Sequence, residues 1–277
     1  MTIEIVAIGN ELLKGITTNS NATAISRSLS LHGYAVVRHT VLPDFLPSLE
    51  NGFREALSRA DVVIATGGLG PTCDDVTREA AALVFGSSFH TDVLLEKELE
   101  QRFQGKLKSL ADQARVPTKA LLLKNRIGTA PGMVFSEFGK TLVLLPGVPQ
   151  EMSPMFEKEL LPILPNYIGR DKEHLSKLIH FGLLKEDDVD PVLRELQVQF
   201  PELEFGIYPG YGFLSVRLTS SHQEALKECA HHLKERFGEF LFEDEEGKIE
   251  HAVKTLFVKK HLTLACAESC TGGANCS

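Results

Sequence analysis

The chain has 277 residues, more than one average domain of ~100–200 residues holds, so two domains are expected. With 43% hydrophobic and 24% charged residues it has the composition of a folded globular protein and not of a disordered one. Its 37 acidic against 29 basic residues leave a formal net charge of −8, which argues against nucleic acid as a partner and leaves any bound phosphate to be held locally.

No apolar run approaches the ~20 residues of a membrane span. The opening Met-Thr-Ile-Glu-Ile has neither a basic segment nor a long apolar one. A membrane partner is therefore not expected, and a cytoplasmic location is. The five cysteines are sparse, and Cys266, Cys270 and Cys276 match neither a zinc knuckle nor a disulfide frame. Reduced thiols are expected.

In chain order, Ile3 to Ile8 reads as a buried parallel strand ending at Gly9. Ala22 to Leu31 has helical spacing behind Asn and Ser capping candidates. Tyr34 to Leu42 is a second strand, Leu46 to Ala60 a second helix, and Asp61 to Ala65 a third strand. Val76 to Phe85 is helical, with Gly86 as its cap. This βαβαβα order predicts a parallel sheet with helices on both faces. Segments 93–104 and 106–116 read as polar helices. Met133 to Phe138 and Thr141 to Leu145 flank a hairpin turn at Gly139-Lys140, and a helix is predicted from Met152 to Leu164.

From Leu175 the pattern changes to strand 175–184, helix 187–198, strands 203–208 and 213–219, helix 222–237 and strand 239–243. That is the βαββαβ order of a split-βαβ, ferredoxin-like arrangement. Gly206 to Gly212 reads as a hairpin loop, from which Tyr208 or Tyr211 could reach a ligand. The adjacent His231 and His232 point to different helix faces and read as surface groups, not metal ligands. The acidic stretch Glu243 to Gly247 reads as a linker before a helix from Ile249 to Lys260 and a strand from Leu262 to Ala267.

The chemistry-bearing segment is Thr66-Gly67-Gly68-Leu69-Gly70-Pro71-Thr72-Cys73-Asp74-Asp75-Val76-Thr77. It leaves the C-terminal end of a strand and enters a helix, the edge where open parallel sheets bind ligands. Three glycines by themselves make a tight turn. They also let backbone amides approach an anion, helped by the helix N-terminus. Thr72 and Asp75 have capping-box spacing, worth ~1 kcal/mol at the cap. Asp74, one residue away, is then free to face the pocket. Carboxylates beside a phosphate repel it unless a divalent cation bridges them. Two further strand-end segments should meet this loop: Gly9 to Asn19, offering Glu11 and the Asn19 amide, and Pro146-Gly147-Val148-Pro149-Gln150-Glu151.

Together these motifs resemble the CinA family: Gly9-Asn10-Glu11-Leu12-Leu13 with Asn19, Thr66 to Thr72 with Asp74, Asp75 and Thr77, and Pro146-Gly147-Val148-Pro149 with Glu151. The resemblance implies an α/β, parallel-sheet, molybdopterin-binding-like domain of the MoaB/MogA type over residues 1–170. A small α+β βαββαβ domain, described as KH-like, would follow at 171–247, and 248–277 would open a deamidase domain. It further implies metal-dependent hydrolysis of ADP-ribose to AMP and ribose 5-phosphate, and a homodimer. Glu11, Asp74 and Asp75 would be the catalytic groups and the ligands of Mg²⁺, Mn²⁺ or Co²⁺. Asn19, Thr66, Gly67, Gly68, Gly70, Thr72, Thr77, Gly147 and Glu151 would contact a small-molecule nucleotide. A non-catalytic nucleotide- or pterin-binding module is the alternative. At Asn10 many relatives carry an acid, so one potential ligand is missing here. Ala267 to Gly273 matches the start of the family's nicotinamide mononucleotide deamidase, with Ser269 as the expected nucleophile. Residues 250–277 fall below the roughly 40 at which domains rarely fold unaided. The expectation is that this activity is absent and Ser269 a vestige.

Overall fold

The computed structural model describes residues 2–104, 106, 108–168, 175–244 and 249–265. The chain divides into two compact units, Met1–Glu173 and His174–Ser277. Among the described residues no helix is long and apolar enough to cross a membrane.

The first unit opens with β1 (Ile3–Ile8), every residue of which is buried, as an almost uninterrupted apolar run requires of a central parallel strand. The short α1 (Asn10–Leu13) and α2 (Ser20–Leu31) lead to β2 (Val36–Leu42); α3 (Leu46–Arg59), β3 (Val62–Thr66) and α4 (Thr77–Phe85) follow. Gly86 ends α4 in the left-handed conformation, where a residue without Cβ carries no steric penalty.

Beyond it lie β4 (Phe89–Thr91), α5 (Val93–Phe103), α6 (Leu110–Ala114), β5 (Arg115–Pro117), β6 (Leu121–Leu123), β7 (Gly132–Glu137), β8 (Lys140–Leu145) and α7 (Pro149–Met155). The helix predicted over 106–116 is replaced by the five-residue α6 and by β5, which pairs antiparallel with β4. The helix predicted from Met152 starts three residues earlier, at Pro149. Proline is tolerated there because a first-turn N–H has no intrahelical acceptor. After Met155 the helix widens into a π-helical turn, Phe156–Leu160.

The main sheet has the order β2-β1-β3-β8-β7-β6. Its first four strands run parallel, whereas β7 and β6 are antiparallel additions. One face is closed by α3 and α4, which set Phe53, Ala56, Ala80 and Ala81 against Val6, Val63, Leu142 and Leu144. The other is closed by α2 and α7, which set Ile25, Leu29, Met152 and Met155 against Ile5, Ile64 and Val143. Successive strand residues thus serve opposite layers, as the period of two demands. The C-terminal ends of β1, β2, β3 and β8 therefore share one edge.

The second unit comprises β9 (Leu175–Gly182), α8 (Glu186–Gln199), β10 (Glu204–Gly210), β11 (Phe213–Ser220), α9 (Gln223–Phe237), β12 (Leu241–Phe242) and α10 (Ile249–Lys259). Its sheet has the order β10-β11-β9-β12 with every pair antiparallel, the split-βαβ arrangement. Phe181, Val216, Leu193 and Leu233 lie in its core. The loop predicted over Gly206 to Gly212 is mostly strand: Gly210 pairs with Phe213, leaving Tyr211-Gly212 as the turn. Tyr208 lies under the Arg217 guanidinium, 5.3 Å away, and Tyr211 is fully exposed. His231 lies 3.3 Å from Glu235 one turn along α9. Residues 262–265 are not in a strand, contrary to the strand predicted from Leu262 to Ala267. Ser269 lies outside the described residues.

Candidate functional site

At the shared sheet edge a cleft of ≈ 430 Å³ opens, and all three glycine-bearing segments reach it. Gly9 and Glu11 follow β1; Gly67, Gly68, Gly70, Asp74 and Asp75 follow β3; Gly147 and Glu151 follow β8. This is the crevice at carboxyl strand ends where open α/β sheets hold ligands.

The glycine loop is held by its neighbours. The Gly67 N–H donates to Leu145 O (3.0 Å), and the Thr77 N–H to Gly68 O (3.2 Å). Gly67 has φ +111, and a Cβ there would lie 2.3 Å from the Ile8 carbonyl oxygen, so no other residue fits without moving backbone. Among the described residues the N–H groups of Gly68, Leu69 and Gly70 find no backbone partner. Such groups can serve an anion.

Thr72 and Asp75 do not cap the helix. α4 begins only at Thr77, with Val76 as its uncapped N-terminal residue. Instead, Asp75 Oδ2 accepts the Thr72 N–H at 2.9 Å, closing a turn ahead of the helix. The Thr72 hydroxyl lies 2.5 Å from both Asp74 Oδ1 and Asp75 Oδ2. It has one proton and can donate to only one of them at a time. That hydroxyl and Asp74's own backbone N–H hold the exposed Asp74 carboxyl below its ordinary range. Two carboxylates thus share one neutral donor.

Not every expected residue faces the cleft. Asn19 Oδ1 accepts from the Ala22 N–H and caps α2, an N-terminal role that asparagine favours. Thr66 is a buried residue of β3, and Thr77 is buried with its hydroxyl unpartnered against Gly68. Thr72 acts through the two aspartates. Conversely, Asp44 lines the cleft from the turn after β2, its Oδ2 accepting the Asn10 N–H at 2.8 Å. Thr129 and Ala130 also line it. Asn21, behind the wall, donates to Gly147 O at 2.8 Å. The signal for Asp44 was present in its position after a parallel strand.

The lining carries five carboxylates, Glu11, Asp44, Asp74, Asp75 and Glu151, and no lysine, arginine or histidine. Among the described residues no three His, Cys, Asp or Glu side chains converge as a ready-made metal site, so Glu11, Asp74 and Asp75 do not make a closed cage. The donor set fits a hard cation of another kind. Mg²⁺ is usually held by one or two carboxylates together with substrate phosphates.

Residues 4–166 match the sequence family described as "Probable molybdopterin binding domain". The chain is 35% identical to a CinA-like protein of Gemmatimonas aurantiaca over 99% of its own length and 67% of the relative's. It is 34% identical to a CinA-like protein of Kosmotoga olearia over 99% of its length and 68% of that relative's. Among solved structures, the protein CinA of unknown function from Thermoplasma acidophilum matches at 34% identity. That match has a TM-score of 0.55 and covers 60% of this chain and 98% of that one. The chain therefore belongs to the CinA-like family, with a molybdopterin-binding-type α/β domain built around this acidic cleft.

Proposed function

We propose that the cleft binds a nucleotide pyrophosphate together with a divalent cation and hydrolyses it, with ADP-ribose as the substrate and AMP and ribose 5-phosphate as the products. The observation that carries this reading is the combination of a close-approach glycine loop with five carboxylates and no lining base. Backbone N–H groups at Gly68 to Gly70 receive phosphate oxygens, as donors at such loops do. One or two of Asp74, Asp75 and Glu11 would hold Mg²⁺, Mn²⁺ or Co²⁺ together with the substrate's phosphate oxygens, and the remaining carboxylate would orient the attacking water. Glu151 and Asp44 face the ligand from the rim.

Magnitudes favour a metal-assisted reaction. Hydrolytic enzymes lower the barrier by at least ~8 kcal/mol, and one well-aimed backbone donor contributes ~3–4 kcal/mol. A bound cation would supply Lewis-acid stabilisation of the phosphoryl oxygens and a more acidic water. The chain's own part is to place the pyrophosphate against the amides of Gly68 to Gly70. It also holds the Asp74 carboxyl below its ordinary value through the Thr72 hydroxyl. Water adds to one phosphorus, the bridging oxygen leaves with the other phosphate, and the water's protons pass to the carboxylates and solvent.

Purified protein mixed with ADP-ribose and Mg²⁺, Mn²⁺ or Co²⁺ is expected to release AMP, and chelator to stop it. Folded protein that releases none with any of these metals would sink the catalytic reading. A second reading, a pterin-binding module without chemistry, is favoured by the description of the matched family. It predicts tighter binding of a pterin phosphate than of ADP-ribose, with no product.

A further inference from the structure

Asn125 lies in the segment joining β6 to β7, which leaves the sheet at the cleft edge and lends Thr129 and Ala130 to its lining, and is buried. Its amide is fully used. Oδ1 accepts from the Ile127 N–H (3.0 Å) and the Gly128 N–H (2.7 Å). Nδ2 donates to Ala130 O (2.8 Å) and to Glu151 Oε2 (2.7 Å). From outside, Arg102 braces the same segment, donating to Asn125 O at 2.7 Å and Gly128 O at 3.2 Å. The Glu151 carboxylate rests directly on Gly128: a Cβ there would lie 1.8 Å from Oε2.

We propose that Asn125 is a positioning residue for Glu151. It occupies Oε2 with an amide proton and leaves Oε1 as the oxygen turned to the bound nucleotide and its cation. The choice of donor matters. The buried Glu4 is held by the Arg59 guanidinium at 2.8 Å, so its charge is balanced and its role is structural. Glu151 is held by a neutral amide, which fixes geometry without balancing charge. A carboxylate kept in place but unneutralised is the form a cation or a sugar hydroxyl needs. Gly128 clears the seat and Asn125 locks it. The inference rests on the reading of the cleft as a nucleotide site.

The test uses Asn125→Asp in the full chain. Aspartate keeps the acceptor for the Ile127 and Gly128 N–H groups, which with the Arg102 brace hold the turn, but it loses the bonds donated to Ala130 O and Glu151 and sets a like charge against Glu151. Expected is a fall in kcat/KM for ADP-ribose of at least ~10-fold with an unchanged circular dichroism spectrum. In a Glu151→Gln background the new side-chain amide can donate to the substituted carboxylate, so the added loss should be under ~2-fold. Wild-type kcat/KM in Asn125→Asp, or the same loss in both backgrounds, would overturn the proposal. A crystal structure of Asn125→Asp decides it without turnover. The Glu151 carboxylate should leave its seat while the 125–130 backbone stays, and a carboxylate that stays seated refutes the role. Should the wild type neither bind nor hydrolyse ADP-ribose, the nucleotide reading falls, and that crystal structure still settles whether Asn125 holds Glu151.

Discussion

Gly67 is pressed against the carbonyl of Ile8: a methyl group on Gly67 would stand 2.3 Å from that oxygen. The ends of β3 and β1 thus meet with only a hydrogen atom's room between them. Gly147, at the end of β8, comes against the same glycine, with a hypothetical Cβ 3.3 Å from Gly67 Cα. The floor of the cleft is made of three chain segments in contact.

Gly67→Ala must therefore displace backbone and also adopt an unfavourable φ of +111. A stability loss on the order of 3 kcal/mol is expected, read as a lower midpoint in urea unfolding. Gly147→Ala needs a shift of only a few tenths of an ångström, and about 1 kcal/mol or less is expected. Equal losses from the two would contradict this account of the loop.

The buried Glu4 receives bonds from Arg59 at 2.8 Å to each oxygen and from the Thr40 hydroxyl at 2.7 Å. Burial alone would raise its carboxyl. The hydrogen bonds from Arg59 and Thr40 and the charges of Arg59 and Arg38 outweigh it and hold Glu4 below the ordinary glutamate value. A depressed folded value means stability present above the unfolded value and lost as pH falls through the folded one. Arg59→Ala leaves the charge unpaired and should cost about 3–5 kcal/mol at pH 7. The gap from wild type should shrink as pH drops through the acid range, measured by urea unfolding.

Thr72→Val removes the hydroxyl shared by Asp74 and Asp75. Asp74 should then titrate closer to an ordinary aspartate, upward from its present lowered value. Both forms are ionised at neutral pH, so any loss of ADP-ribose turnover there reports geometry. Carboxyl-detected NMR should show the Asp74 midpoint rise, and an unchanged midpoint would dismiss the shared-donor description.

Cys229 is buried in the second unit, and burial pushes its thiol up to about 11. Cys73 is exposed beside Asp74. Peptide mapping after brief alkylation at pH 8 should find Cys73 modified and Cys229 intact, because the thiolate is the reacting form.

The long elements were legible because strong periodicity marks them. β1, β3 and α3 lie within a residue or two of the ranges their apolar spacing suggests. The three-residue strands β4, β5 and β6 were not, since three residues carry no period. Thr72 and Asp75 had the spacing of a capping box but not its helix: the bond closes a turn two residues before α4. Asn19 was legible as a cap, and its Oδ1 takes that role, outside the residues that line the cleft. Asp44 was overlooked because Pro43-Asp44-Phe45 contains no glycine, although it follows a parallel strand as the other loops do. Asn125 lay beyond such reasoning, for its link to Glu151 crosses from an antiparallel strand connection to α7. Only the folded chain brings the two together.

The central claim is that a cleft lined by five acids and no base accepts a pyrophosphate only in company with a cation. Calorimetric titration of ADP-ribose into the protein, with Mg²⁺ and then with excess chelator, tests it directly. Binding should weaken by at least ~100-fold without metal, about 2.8 kcal/mol. Equal affinity in chelator would show that the carboxylates do not govern what the cleft holds.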